Sequence, residues 1–356
     1  MEKKRMISLE ALVRDNIRNL KPYSSARDEF KGKADIFLDA NENSLGSPIQ
    51  SQWNRYPDPK QTELKKAIGK LKNTAPDRIF LGNGSDEAID LLIRAFCEPG
   101  HDKIMIMPPT YGMYQVCANI NNVGVISCPL TMDFNLNVKE IHDLLTDMVK
   151  MLFICSPNNP TANAMRQSDI EEILQNTQAI VVVDEAYIDF SGKPSLLQLL
   201  NKYPNLIILQ TFSKAWGLAS LRLGMAFADP YIIHILTNIK PPYNISGLTQ
   251  QMALEAIQNL GSKNKMVATL LIQRNYLVKK LKQLKMIDQV FPTDTNFVLV
   301  RFKNSKPIFD QLIKSGIIVR DRSKALHCEN CLRFTVGTES ENKKLIKKLK
   351  SLDIKI

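Results

Sequence analysis

Residues 151–187, MLFICSPNNPTANAMRQSDIEEILQNTQAIVVVDEAY, decide the fold. The stretch opens on an unbroken apolar run at 151–155, turns through Ser156-Pro157-Asn158-Asn159-Pro160-Thr161, crosses a helix-length polar segment, and enters a second apolar run at 180–183. The second run ends on Asp184-Glu185-Ala186-Tyr187. A run that is apolar at every position, rather than at every second one, is a strand buried on both faces. Two such strands joined by a helix predict a mostly parallel α/β sheet.

The same texture extends both ways. Upstream lie a helix at 62–71, a strand at 78–81, the turn Gly82-Asn83-Gly84, and a segment at 85–97 whose Ile89, Leu92, Ile93 and Phe96 keep helical spacing. Strands are expected at 103–107, 123–128, 206–209 and 223–228, with a helix at 111–121. At Lys240-Pro241-Pro242-Tyr243-Asn244 the texture changes, because two prolines remove backbone donors. One long helical stretch, 249–283, follows. It is succeeded by strands at 296–301, 317–320 and 331–336 and helices at 307–315 and 341–352. This divides the chain into an N-terminal arm (1–45, associated with the small domain, with one helix at 9–17 and a short strand at 36–38), a large domain (46–245) and a small α+β domain (246–356).

Composition narrows the function classes. With 356 residues, 44% apolar and 23% charged, the chain is an ordinary globular protein, and 15 Gly and 18 Pro are too few for a low-complexity one. The net charge of +11 admits nucleic acid, an anionic surface or phosphorylated small molecules as partners. The lysines are scattered, densest at Lys3-Lys4-Arg5 and at Lys343-Lys344 with Lys347-Lys348, which favours a solvated face over a nucleic-acid stripe. No apolar run approaches the ~20 residues that span a bilayer. Cys97, Cys117, Cys128, Cys155, Cys328 and Cys331 show no disulfide spacing, so a reducing, cytoplasmic location is expected. Cys328 and Cys331, preceded by His327, form a lone Cys-x-x-Cys, weak evidence for zinc, and no metal is expected.

Ligands of an open parallel sheet collect beyond the carboxyl ends of its strands. Those ends carry Gly82-Asn83-Gly84-Ser85-Asp86-Glu87, Ser156 to Thr161, Asp184 to Tyr187, and Thr211-Phe212-Ser213-Lys214; Arg222 precedes the run at 223–228. Each has an ordinary reading alone. Asp184 could cap a helix, Ser213-Lys214 could be an exposed loop, Asn159-Pro160 is a common turn, and the glycines lack the Lys-Ser/Thr of a P-loop. Five polar strand ends on one rim are harder to attribute to chance.

In this order, Ser156-Pro157-Asn158-Asn159-Pro160-Thr161, Asp184-Glu185-Ala186-Tyr187, Ser213-Lys214-Ala215-Trp216-Gly217-Leu218 and Leu221-Arg222-Leu223-Gly224 resemble the fold-type-I pyridoxal-phosphate aminotransferases over nearly the whole chain. Within that superfamily the chain is similar to the histidinol-phosphate aminotransferases. The supporting segments are Asn16 to Tyr23, Leu38 to Asn43, Arg55-Tyr56-Pro57-Asp58, Pro108 to Tyr114, Val319-Arg320-Asp321 and Cys331 to Thr335. One departure is Ser44, where the family often has proline.

The resemblance implies a large domain with a seven-stranded, mostly parallel sheet flanked by helices. It also implies pyridoxal 5'-phosphate as cofactor, joined covalently to Lys214. Asp184 would hold the ring nitrogen protonated, Asn159 and Tyr187 would meet the ring oxygen, and Tyr111 would lie on the ring face. Gly84, Ser85, Asp86, Thr211, Ser213 and Arg222 would surround the phosphate at a helix start. Tyr56 would reach the cofactor of a neighbouring subunit, making the working unit a homodimer. Arg333 would clamp a substrate carboxylate, and Tyr23, Asn41, Glu42 and Arg320 would contact the rest of the substrate. The implied reaction is ping-pong amino transfer between histidinol phosphate and 2-oxoglutarate, giving imidazole-acetol phosphate and glutamate. Aromatic-amino-acid aminotransferases and a phosphothreonine decarboxylase share much of this framework. A cofactor-binding DNA regulator is a third reading, disfavoured by an arm too short for a helix-turn-helix module.

Overall fold

The computed structural model describes residues 7–23, 34–49 and 53–353. Among them the predicted seven-stranded sheet is present. Its strands are β1 (Ile79–Asn83), β2 (Lys103–Ile106), β3 (Gly124–Ser127), β4 (Val149–Cys155), β5 (Ile180–Asp184), β6 (Leu206–Thr211) and β7 (Leu223–Phe227), in the order β1-β7-β6-β5-β4-β2-β3. The pairs from β3 through β6 are parallel, whereas β7 runs antiparallel to both its neighbours.

Strict alternation within the apolar runs gives the sheet two buried faces. Leu152, Ile154, Val181, Val183, Leu206 and Ile208 face one core, and Met151, Phe153, Ile180, Val182, Ile207 and Leu209 face the other. At roughly 1.5–3 kcal/mol per buried aliphatic or aromatic side chain, these central strands are the main apolar anchor of the large unit.

The C-terminal part builds a second, antiparallel sheet from β8 (Ile287–Val290), β9 (Phe297–Phe302), β10 (Arg320–Asp321) and β11 (Cys331–Thr335), ordered β10-β11-β9-β8. Helices Leu260–Leu281, Ser305–Lys314 and Glu339–Asp353 bury Leu277, Leu281, Ile308, Leu312, Leu345 and Leu349 in its core.

Several local expectations are corrected. The stretch 249–283 is two helices, Gly247–Gln258 and Leu260–Leu281, because Asn259 leaves helical geometry and its side chain bonds back to the Glu255 carbonyl at 3.0 Å. The expected strand at 317–320 shrinks to Arg320–Asp321. The four-residue edge strand β8, with Asp288 and Gln289 exposed, carries too little apolar pattern to be read from sequence. The arm has no strand at 36–38, where Ile36 and Leu38 are 77% and 83% exposed. Its helix is two single turns, Leu9–Leu12 and Asp15–Arg18. These turns pack on the large unit rather than the small one. Val13 is buried with Ala88, Ile89 and Leu92, and Arg14 bonds the Arg94 carbonyl at 2.9 Å and Glu98 at 3.0 Å.

One close approach positions the site. Gly224 on β7 lies so near the start of helix Gly84–Phe96 that a Cβ there would sit 2.2 Å from Gly84 C and Ser85 N. Both neighbours are backbone and cannot rotate away. Gly224→Ala is expected to cost about 1–3 kcal/mol by overpacking, read as a lower urea midpoint with an unchanged slope.

Candidate active site

The carboxyl ends of β4, β5 and β6 open into a cavity of ≈ 670 Å³ between the two sheets. Gly84, Ser85, Asp86, Tyr111, Asn159, Asp184, Tyr187, Thr211, Ser213, Lys214, Arg222, Arg320 and Arg333 all line it.

Lys214 follows β6 in a turn set by its neighbours. Phe212 donates its amide to Leu223 O at 3.0 Å, Ser213 N bonds Thr211 Oγ1 at 3.1 Å, and Gly217 N closes on Lys214 O at 3.1 Å with a φ of +68°. The buried rings of Phe212 and Trp216, 5.0 Å apart, pin the turn on either side. The Lys214 amine stands 5.7 Å from the Tyr187 ring centre, and solvent reaches the side chain through the cavity. Partial desolvation lowers its pKa, the Arg333 charge lowers it further, and Asp184 opposes them. An amine tuned downward is uncharged, and so nucleophilic, over more of the neutral range. Removing the Arg333 charge therefore raises the Lys214 pKa. In cofactor-free Arg333→Gln, the pH midpoint for borohydride-trapped aldehyde capture by Lys214 is expected to move upward from the wild-type value.

Asp184 ends β5 and is 3% exposed. Burial pushes its carboxyl pKa up, while the Tyr114 hydroxyl, donating to Oδ2 at 2.7 Å, and the Ala186 amide, donating to Oδ1 at 3.0 Å, pull it down. Tyr114 is wholly buried and stacked on Phe153 at 4.8 Å, so the donor is rigid. Sequence reading passed over Tyr114, although it lies three residues after Tyr111.

The anion cradle is the start of helix Gly84–Phe96. No side chain caps its first turn, so backbone donors there remain for a ligand. Gly84 has a φ of +74°, and a Cβ on it would meet Arg222 Nη2 at 2.6 Å. Arg222 pairs with Asp86 at 3.5 Å, and Asp86 accepts from Tyr111 at 3.1 Å, fixing the cradle's rim. The Thr211 hydroxyl is 3.0 Å from that of Ser213.

Asn159 is presented by its neighbour. Asn158, 1% exposed, donates to Pro109 O at 2.8 Å and to Thr161 Oγ1 at 2.7 Å, locking the turn. The Asn159 side-chain oxygen accepts from Arg333 Nη1, a bond that joins the two sheets. Tyr187, edge-on to Phe297 at 5.1 Å, makes a second such junction. Arg333 also lies 5.0 Å over Phe297, and its Nε is buried without a partner. Arg322, unremarked in the sequence, lines the cavity too.

Four expected residues stand elsewhere. Tyr23 is 75% exposed, and neither it nor Asn41, Glu42 or Tyr56 lines this cavity. Glu42 accepts from Arg55 at 2.6 Å and from the Tyr56 amide at 2.7 Å. Tyr56 stacks on Tyr243 at 4.4 Å and is 51% exposed. The six cysteines are free and buried, and among the described residues no three His, Cys, Asp or Glu side chains gather as a metal site. No described helix is long and apolar enough to cross a membrane.

The cavity fits a flat, phosphorylated, cationic heterocycle. A buried carboxylate, an uncapped helix start, an amine and aromatic rings share its wall. The family described as aminotransferase class I and II matches residues 34–349, and the chain belongs to it. A histidinol-phosphate aminotransferase from Cytophaga hutchinsonii is 55% identical over 97% of this chain and 99% of its own. Within the larger class, the chain thus belongs to the histidinol-phosphate aminotransferase family. Among solved structures, the histidinol-phosphate aminotransferase from Sinorhizobium meliloti in complex with pyridoxal-5'-phosphate superposes with a TM-score of 0.77 at 21% identity, covering 88% of this chain and 90% of that one. The L-threonine-O-3-phosphate decarboxylase from Porphyromonas gingivalis gives 0.72 at 20% identity, covering 85% and 93%. At such identities both show a shared fold.

Proposed function

We propose that the protein is a histidinol-phosphate transaminase using pyridoxal 5'-phosphate, exchanging the amino group of histidinol phosphate with 2-oxoglutarate. The convergence of Lys214, Asp184 and an uncapped helix start on one cavity carries this reading. When bound, the cofactor supplies an electron sink that acidifies the substrate carbon bearing nitrogen.

The chain does the rest. Lys214 would hold the cofactor through its side-chain amine and would move the proton at the substrate carbon that bears nitrogen. Asp184 would keep a proton on the ring nitrogen, Asn159 and Tyr187 would meet the ring oxygen, and Tyr111 would cover one face. The Ser85 and Asp86 amides, Thr211, Ser213 and Arg222 hold the phosphate. Arg333 binds glutamate or 2-oxoglutarate through a carboxylate, bidentately if it releases Asn159.

The half-exposed Tyr56, held by Glu42 and Tyr243 and absent from its own chain's cavity, supports a homodimer in which it completes a neighbour's phosphate site. Tyr23 and Asn41 would then act across the same interface. Six free, buried cysteines support a reducing, cytoplasmic location.

The test is the absorbance of purified holoenzyme during single half-reactions. Histidinol phosphate should discharge the lysine-bound chromophore at low concentration, and phenylalanine or phosphothreonine only weakly. Discharge by an aromatic amino acid alone, or carbon dioxide release from phosphothreonine, would replace this substrate assignment.

A further inference from the structure

Three guanidinium groups meet on one face of the small sheet. Arg320 and Arg333 are cross-strand partners in the β10–β11 ladder. Arg322 continues the strand, its amide donating to Cys331 O at 2.9 Å. Strand alternation turns residues 320 and 322 to the same side, and all three arginines line the cavity.

Their partners differ. Arg333 is engaged by Asn159 and by the Phe297 ring. Arg320 is exposed. The Arg322 Nε is enclosed and meets no acceptor, and the charges that act most on the group are Arg333 and Arg320, both of like sign. Among the described residues, none of the three forms an ion pair with a carboxylate. A half-buried guanidinium with an unsatisfied Nε, facing its own kind, is unfavourable until an anion arrives. One carboxylate satisfies one arginine fork. Two further forks match a group with more oxygens and a second negative charge, which is a phosphate monoester.

We infer that Arg322 is a specificity-determining residue that binds the phosphate ester of the substrate beside Arg320. The inference rests on the transaminase reading above and adds to it a residue that separates the two half-reactions. Histidinol phosphate carries a phosphate and no carboxylate, and glutamate the reverse, so the two substrates draw differently on the three cations.

The experiment compares wild type, Arg322→Gln and Arg322→Lys as holoenzymes. It measures KM for histidinol phosphate and for glutamate, and the inhibition constant of methyl phosphate, between about pH 5.5 and pH 7.5, a range spanning the second ionisation of a phosphate ester near 6. Loss of a charge-assisted contact should raise the histidinol-phosphate KM and the methyl-phosphate constant about 10- to 100-fold in Arg322→Gln. The glutamate KM should change several-fold less. Wild-type inhibition should strengthen as the dianion forms, and Arg322→Gln should flatten that dependence. Arg322→Lys keeps the charge and should recover part of the loss, which a packing role would not produce.

Equal rises in both KM values, or methyl-phosphate inhibition unchanged in Arg322→Gln, would overturn the inference. If wild type fails to use histidinol phosphate while methyl phosphate still binds through Arg322, the substrate assignment falls and the anion site stands.

Discussion

Lys214→Ala protein is expected to purify without the visible absorbance of a lysine-bound cofactor and to transaminate about 10⁴-fold more slowly than wild type, the upper end for one acid–base group. The size follows from two duties in one side chain. In the proposed function Lys214 is both the covalent anchor and the proton carrier, and no second described amine lines the cavity to replace it. A 10⁴-fold loss corresponds to about 5.5 kcal/mol of barrier. The fold should survive, because the turn is held by Phe212, Trp216 and Gly217 and not by the amine. Equal thermal stability with lost colour and lost turnover is the expected pattern. Turnover at the wild-type rate would remove Lys214 from the chemistry.

The second large effect belongs to Asp184 and its support. Asp184→Ala leaves a ring cation in a buried position with no counter-charge, at a cost of about 3–5 kcal/mol. That corresponds to a fall of roughly 10²- to 10⁴-fold in the half-reaction rate, measured by stopped-flow absorbance. Tyr114→Phe isolates the supporting bond, since it deletes the hydroxyl and keeps the ring against Phe153. The sign is fixed by the direction of the Tyr114 contribution. Its hydroxyl holds the Asp184 pKa down against burial, so removing it raises that pKa. In the proposed function cofactor binding needs the ionised carboxylate, so in Tyr114→Phe binding should begin to fail at a higher pH as the solution is acidified. Titration of cofactor into the apo-protein by tryptophan fluorescence reads this without any turnover. An acid limb at the wild-type pH would show that Tyr114 does not tune the carboxylate.

Much of this arrangement was legible because burial and chemistry alternate along the chain. Strands β4 to β6 are apolar at nearly every position, and each stops on polar residues at the rim: Ser156, Asp184, Thr211. That break from apolar to polar marks where the sheet meets its ligand. The inverted direction of β7 was not legible, since a buried strand is equally apolar whichever way it runs. Tyr114 and Arg322 were passed over for a related reason. Helical and strand periodicity place them near Tyr111 and Arg320, but only packing shows that one bonds Asp184 and the other finds no acceptor. The arm misled because its apolar residues are few. Among its described residues Val13 alone is buried, and a single residue does not say which unit it docks on.

The turn from Thr211 to Gly224 joins two antiparallel neighbours, so Lys214 and Arg222 belong to one continuous clip seated on the rigid sheet. The arginines at 320, 322 and 333 belong to the other sheet. A rocking of one sheet against the other would therefore loosen or tighten the grip on substrate while the prosthetic group stayed at constant register with its lysine. Exchange of one amino donor for the next could then proceed without the coenzyme ever leaving its berth.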